Sequence, residues 1–185
     1  MHSILNSPKI YLLSQYMIGA MSARRLTLEN YAGIQPGLRI LDIGCGPGYI
    51  VEYLPKCEYV GFDLDERYIA YAKDHYGDRH QFHCRTFDAE QVENFEKFDL
   101  VLMNGLLHHV DDDLAHELIK LSRNALKEDG KLLSLDGCYK QGQSSLARYL
   151  LDKDRGQYVR QEEGYRVLAQ SVFSKFYDIG KGIIE

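Results

Sequence analysis

The chain has 185 residues, enough for one domain with a sizeable core, and its 45% apolar and 26% charged residues are those of a globular protein in water. A net charge of −5 without a basic run argues against a broad nucleic-acid footprint, and no apolar run is long enough to span a bilayer. The N-terminus lacks the pattern of a signal peptide, and the four cysteines form no CxxC pair, which together point to reduced thiols in the cytoplasm.

Ser7-Pro8 predicts a helix start, with the serine as cap and the proline at the first helical position. From there to about Tyr31, Ile10, Leu13, Met17 and Met21 recur at helical spacing, and Gly19 and Ser22 are candidate break points between two helices. Gly33 to Gly37 reads as a turn-rich linker. Arg39 to Ile43 is a short apolar strand interrupted by one carboxylate, Asp42. Gly44, Gly46 and Gly48 then stand at every second position, where the backbone can turn sharply with nothing projecting from it.

Tyr49 to Leu54 predicts a helix stopped by Pro55, and Tyr59 to Asp63 a second strand. Asp65 to Tyr76 predicts a helix with acids where its dipole favours them. His80 to Arg85 is a third strand, and Phe98 to Met103 a fourth, expected at the centre of the sheet. Asp111 to Asp113 caps a helix running to about Glu128 and closed by Gly130, followed by a fifth strand, Lys131 to Asp136. Leu146 to Asp154 and Gln161 to Gln170 read as helices, and Val172 to Ile179 as a strand. Alternating strands and helices predict an α/β doubly wound, mostly parallel sheet with helices on both faces. Ligands of such sheets sit at the carboxyl ends of the strands.

The stretch I-L-D-I-G-C-G-P-G resembles the nucleotide loop of class I S-adenosylmethionine (SAM)-dependent methyltransferases of the small-molecule type. The resemblance implies a Rossmann-like fold with N-terminal covering helices and strand order 3-2-1-4-5-7-6. With only Gly180 to Glu185 left for it, the final antiparallel strand is expected to be short or missing. It also implies one domain over 1–185, divided into covering helices (1–35), a SAM-binding core (36–137) and substrate-side helices and sheet edge (138–185). The implied reaction moves a methyl group from SAM to a small-molecule acceptor, leaving S-adenosylhomocysteine (SAH).

By the same resemblance, Gly44, Cys45, Gly46 and Gly48 pass under the methionyl and ribose parts, and Asp42 orders the loop or meets the amino group. Asp63 stands at the interval where nucleotide folds place a ribose-binding carboxylate, and a carboxylate there accepts from both hydroxyls. Capping of the next helix is the plainer role for Asp63. Leu64 packs against the adenine, and Asp88 with the Ala89 main chain meets its edge. Asn104 lines the SAM side. His108 and His109 are the candidate bases, in competition with ordinary packing or capping, because histidine titrates near neutral pH and no paired acid is evident in the sequence. Tyr11, Tyr16, Met17 and Met21 are weighed as cofactor or substrate contacts against the packed stripe of a helix, and Arg155, Tyr158 and Arg160 as acceptor contacts against surface charge.

His75, His80, His83 and Cys84 fit no compact zinc pattern, so no metal is expected. Two further classes remain open: a SAM-binding module without its own activity, and a nicotinamide oxidoreductase. The latter usually carries G-x-G-x-x-G and a Tyr-x-x-x-Lys pair, neither of which stands out here.

Overall fold

Five strands form one parallel sheet: β1 Arg39–Ile43, β2 Glu58–Asp63, β3 Gln81–Cys84, β4 Phe98–Asn104 and β5 Leu126–Leu135, in the order β3-β2-β1-β4-β5. The computed structural model describes residues 7–9, 12, 19–153 and 156–175. Helices α1 Ala20–Thr27, α2 Glu66–Tyr76, α3 Ala89–Asn94, α4 Asp112–Ala125, α5 Ser145–Lys153 and α6 Glu162–Gln170 accompany the sheet. A small parallel pair, β6 Cys138–Tyr139 and β7 Arg160–Gln161, lies outside it.

The period of two along each strand divides the core. Leu41, Ile43, Val60, Phe62, Val101 and Met103 face one side, where they join Leu118 and Ile119 of α4 and Leu168 of α6. Ile40, Tyr59, Leu100 and Leu102 face the other, against Ile69 and Ala72 of α2 and Leu28 just beyond α1. Helices therefore cover both faces. On α4 the buried residues Ala115, Leu118, Ile119, Ser122 and Ala125 recur at the helical repeat, and Asp111 caps the helix by accepting from Leu114 N at 2.9 Å. The same alternation places Asp42, Asp63 and Asn104 on one face, each at or next to the carboxyl end of its strand.

Several expectations need correction. The middle strand is β1; β4 lies between β1 and β5. Both strands are apolar runs, so burial alone cannot rank them. Helix α4 ends at Ala125 because Leu126 is extended and pairs with Phe98; residues 127–130 are looped out before Lys131 pairs with Leu100. Gly130 thus lies in a bulge and closes no helix. The helix expected from Tyr49 is present and short, a 3₁₀ helix over Tyr49–Tyr53. The expected strand at Val172 is turn and irregular chain through residue 175, and its remainder lies outside the described residues, as does Gly180 to Glu185.

At the other end, Gly19, in the left-handed region at φ 75°, opens α1, whereas Ser22 lies inside that helix. Ile10, Tyr11, Leu13, Tyr16 and Met17 lie outside the described residues.

Candidate functional site

The glycine loop leaves β1 through three residues with positive φ, 76° at Gly44, 56° at Gly46 and 74° at Gly48. Side chains avoid that region, so the loop is bare main chain. Gly44 N and Cys45 N both donate to Phe62 O, at 2.8 and 3.0 Å. Gly46 N donates to Asp63 Oδ2 at 2.8 Å, and Asp65 N donates to Asp63 Oδ1 at the same distance. Asp63 therefore fixes the loop to the end of β2. Burial pushes its carboxyl up, and the amide bonds from Asp65 and Gly46 pull it back. The cap of α2 is Asp65, which accepts from Arg67 N at 2.9 Å, so the helix-cap role weighed for Asp63 belongs to its neighbour. Leu64, next along, is 69% exposed.

Asp42 is buried between β2 and β4. Tyr59 Oη donates to its Oδ2 at 2.7 Å, whereas Oδ1 is buried with no hydrogen-bond partner. Burial pushes its carboxyl up to about 7, against the opposing pull of the Tyr59 hydroxyl and the Arg24 charge. Asn104 Nδ2 is likewise buried without a partner. Both residues line a cavity of about 20 Å³ whose other walls include Arg24, Tyr49 and the main chain of the glycine loop. Arg24 comes from α1, is 9% exposed, and donates from Nη1 to the Tyr49 hydroxyl.

Asp88 caps α3 by accepting from Gln91 N at 3.2 Å, with Ala89 as the first helical residue.

Beyond β4, Leu107–His109 form a 3₁₀ turn. His108 is buried and His109 exposed, with ring centroids 4.2 Å apart. Asp136, just past β5, supplies the paired acid that the sequence did not disclose. His108 Nδ1 lies 2.8 Å from its Oδ1, and Ser134 Oγ donates to its Oδ2 at 2.7 Å. A carboxylate opposite Nδ1 accepts from that nitrogen when it carries the proton, and orients the ring. Gly156 lies against this ring: a Cβ at that position would come within 2.2 Å of His108 Cδ2. Tyr158 N donates to His108 O at 2.9 Å.

Arg160 is neither bare surface charge nor an unpaired group. Its guanidinium donates to Leu107 O at 2.6 Å, Val110 O at 2.9 Å and Tyr158 O at 3.1 Å, and pairs with Asp112 at 2.8 Å. It ties the start of α4 to β7. Tyr158 is 41% exposed, and Arg155 lies outside the described residues. His83 stacks on Phe62 and His75 on Tyr71; among the described residues no three His, Cys, Asp or Glu are placed to share a metal ion.

Arg24, Tyr49, Asp136 and Gly156 escaped the sequence reading. Two had a usable signal. Arg24 stands four residues before the buried Leu28, on the same helix face, and Asp136 follows a strand as Asp63 and Asn104 end theirs.

Residues 41–132 match the family model described as a methyltransferase domain. An 81-residue stretch is 38% identical to a ubiquinone biosynthesis O-methyltransferase of Bradyrhizobium diazoefficiens, covering 41% of this chain and 31% of that protein. A 112-residue stretch is 30% identical to a malonyl-[acyl-carrier protein] O-methyltransferase of Bacillus anthracis, covering 58% of this chain and 40% of that one. The chain thus spans well under half the length of these relatives. Among solved structures, an O-methyltransferase family 2 protein from Planctomyces limnophilus, in complex with apigenin, superposes with a TM-score of 0.67 at 21% identity, over 90% of this chain and 56% of that chain. A TehB-like SAM-dependent methyltransferase from Corynebacterium glutamicum gives 0.62 at 19% identity, over 89% and 82%.

The doubly wound sheet and the glycine loop with its strand-end acids define a nucleotide-binding α/β protein. Within that class the chain belongs to the class I SAM-dependent methyltransferases.

Proposed function

We propose that the chain binds SAM across the carboxyl ends of β1, β2 and β4 and directs its methyl group to a small-molecule acceptor. The observation that carries this reading is the grouping of Asp42, Asp63 and Asn104 on one face of three adjacent strands, around a loop whose amides Phe62 and Asp63 already hold. The residues fit such a ligand: Asp42 Oδ1 and Asn104 Nδ2 are buried beside the loop and unpaired, a state that costs free energy until something satisfies it.

In this reading Gly44, Cys45, Gly46 and Gly48 lie under the methionyl and ribose parts. Asp63 accepts from the ribose hydroxyls with its remaining lone pairs. Leu64 offers its exposed side chain to the adenine face, and Asp88 with the Ala89 main chain reads the adenine edge. SAM itself supplies a methyl group on a sulfonium, an electrophile that needs alignment above all.

His108, oriented by Asp136, takes the proton of the acceptor as general base through Nε2. The exposed His109 touches the acceptor. The named function of the curated relatives, O-methylation, supports an oxygen nucleophile. The chain is one methyltransferase domain, with 1–35 as cover, 36–137 as SAM-binding core and 138–185 as acceptor side. The free thiols of Cys45, Cys57, Cys84 and Cys138 favour a reducing compartment such as the cytoplasm. Among the described residues, no helix is long and apolar enough to cross a membrane.

Calorimetric titration with SAM, SAH and NAD tests the cofactor, and release of SAH across a panel of phenols and carboxylic acids tests the reaction. Binding of NAD without SAM or SAH overturns the reading. Binding of SAH without turnover of any acceptor favours a SAM-binding module.

A further inference from the structure

The acid that faces His108 is itself held in place. Asp136 sits one residue past the end of β5, and its side chain is only 3% exposed. Oδ1 accepts from His108 N at 3.2 Å and lies 2.8 Å from Nδ1, so one oxygen meets both the main chain and the ring of the histidine. Oδ2 accepts from Ser134 Oγ at 2.7 Å. The strand's period of two, carried one residue past its end, puts hydroxyl and carboxylate on one side.

The main chain is fixed on either side of Asp136. Gly105 N donates to Leu135 O and Tyr165 Oη to Gly137 O, each at 2.8 Å. What remains is rotation of the carboxylate about its own torsions, and Ser134 is the contact that stops it. β5 is an edge strand and Ser134 is exposed. An exposed serine ordinarily spends its hydroxyl on water, whereas this one donates to a buried carboxylate, a bond about twice as strong as one between neutral groups. Closure of a strand end is the plainer role for a serine bonded two residues on. It does not account for a carboxylate divided between that serine and the histidine. Resting on the general-base reading of His108, we infer that Ser134 is a positioning residue for the base: through Asp136 it sets the orientation of the imidazole and which ring nitrogen carries the proton. The base is thus the inner end of a chain of contacts that starts from a hydroxyl on the sheet edge.

Heteronuclear NMR of the full chain, labelled at histidine nitrogen, tests this without an acceptor. At a pH where the ring is neutral, wild type should show His108 mainly with the proton on Nδ1. In Ser134→Ala that share should fall, and Ser134→Thr, which keeps the hydroxyl, should restore it. Asp136→Asn should abolish the preference, and adding Ser134→Ala to it should change nothing further. With an acceptor that releases SAH, kcat in Ser134→Ala should fall about fivefold to tenfold, the scale of one charge-assisted hydrogen bond, while KM and SAH affinity stay within about twofold. An unchanged His108 tautomer in Ser134→Ala overturns the inference. So does an equal further effect in the Asp136→Asn background, or a Ser134→Thr protein that behaves like Ser134→Ala. The general-base reading fails separately: if His108→Gln turns over like wild type the base role falls, and a tautomer shift in Ser134→Ala still establishes the link from Ser134 to the ring.

Discussion

Gly46 and Asp63 meet across 17 residues of chain, through two strands that are already neighbours in the sheet. His108 and Asp136 meet across 28, and Arg160 reaches Leu107 across 53. The proposed cofactor side is made of main chain. Glycines shape it, Phe62 O and Asp63 hold its amides, and the side chains that matter point from adjacent strands by the period of two. The proposed acceptor side is made of side chains just past β4 and β5 and in β7, held by one imidazole–carboxylate pair and one guanidinium. A site built from local geometry tolerates change far away. A site assembled from distant pieces depends on every contact between them.

If that contrast is right, damage to one side should spare the other. His108→Gln should lower turnover by about 10²- to 10⁴-fold, the usual worth of a general base. SAH affinity should stay within about threefold, since no cofactor group is touched. Turnover within a few-fold of wild type would remove His108 from the chemistry. Asp63→Ala should do the converse, weakening SAH by about a hundredfold through loss of charge-assisted hydrogen bonds. Calorimetry that shows unchanged affinity would contradict the ribose role.

Gly156→Ala places a methyl group 2.2 Å from His108 Cδ2. Overpacking of this kind costs about 1–3 kcal/mol. The thermal midpoint should fall and turnover with it, while SAH binds as before. A midpoint equal to wild type would show that the segment moves aside freely.

The last prediction concerns pH and the free protein. The folded-state pKa of Asp42 is raised to about 7, so below that pH the folded state keeps a proton that the unfolded chain, with an ordinary carboxyl, releases. Its contribution therefore favours folding at low pH and is lost as pH rises from about 4 to about 7. Relaxation and water penetration reduce the effect to about 1–2 kcal/mol over that window. Asp42→Asn should flatten this part of the stability curve, read by chemical denaturation at pH 5 and pH 8. Equal slopes in the two proteins would show that Asp42 is already ionised.

The same contrast decides what could be read from the residues. Strand spans near β1, β2 and β4, the cap at Asp111, and the run of acids at strand ends follow from local pattern, and the structure places them within a residue or two. The end of α4 was misread because helical spacing continues past Ala125, while pairing of Leu126 with Phe98 is a tertiary preference. Asp136 lay in plain sight at a strand end, but only the fold brings it to His108. The anchoring role of Arg160 was illegible for the opposite reason: a surface-type residue carries no mark of the three carbonyls it will bind. Gly156 was passed over because close packing, not an unusual turn, is what demands it.

Arg160 has one more implication. It grips the His108 turn at Leu107 O and Val110 O, and it belongs to β7, where it pairs in register with Cys138 of β6. The residues between β6 and β7 are therefore a cassette pinned at both ends beside the proposed base. Loop closure grows slowly with length, about 0.6 kcal/mol per doubling. The part of the cassette before Gly156, clear of the contacts that Gly156 and Tyr158 make with His108, can be lengthened, shortened or exchanged while the proposed base stays in place. Substrate preference could then diverge among descendants of this scaffold by swapping a single insert, with the cofactor machinery inherited intact.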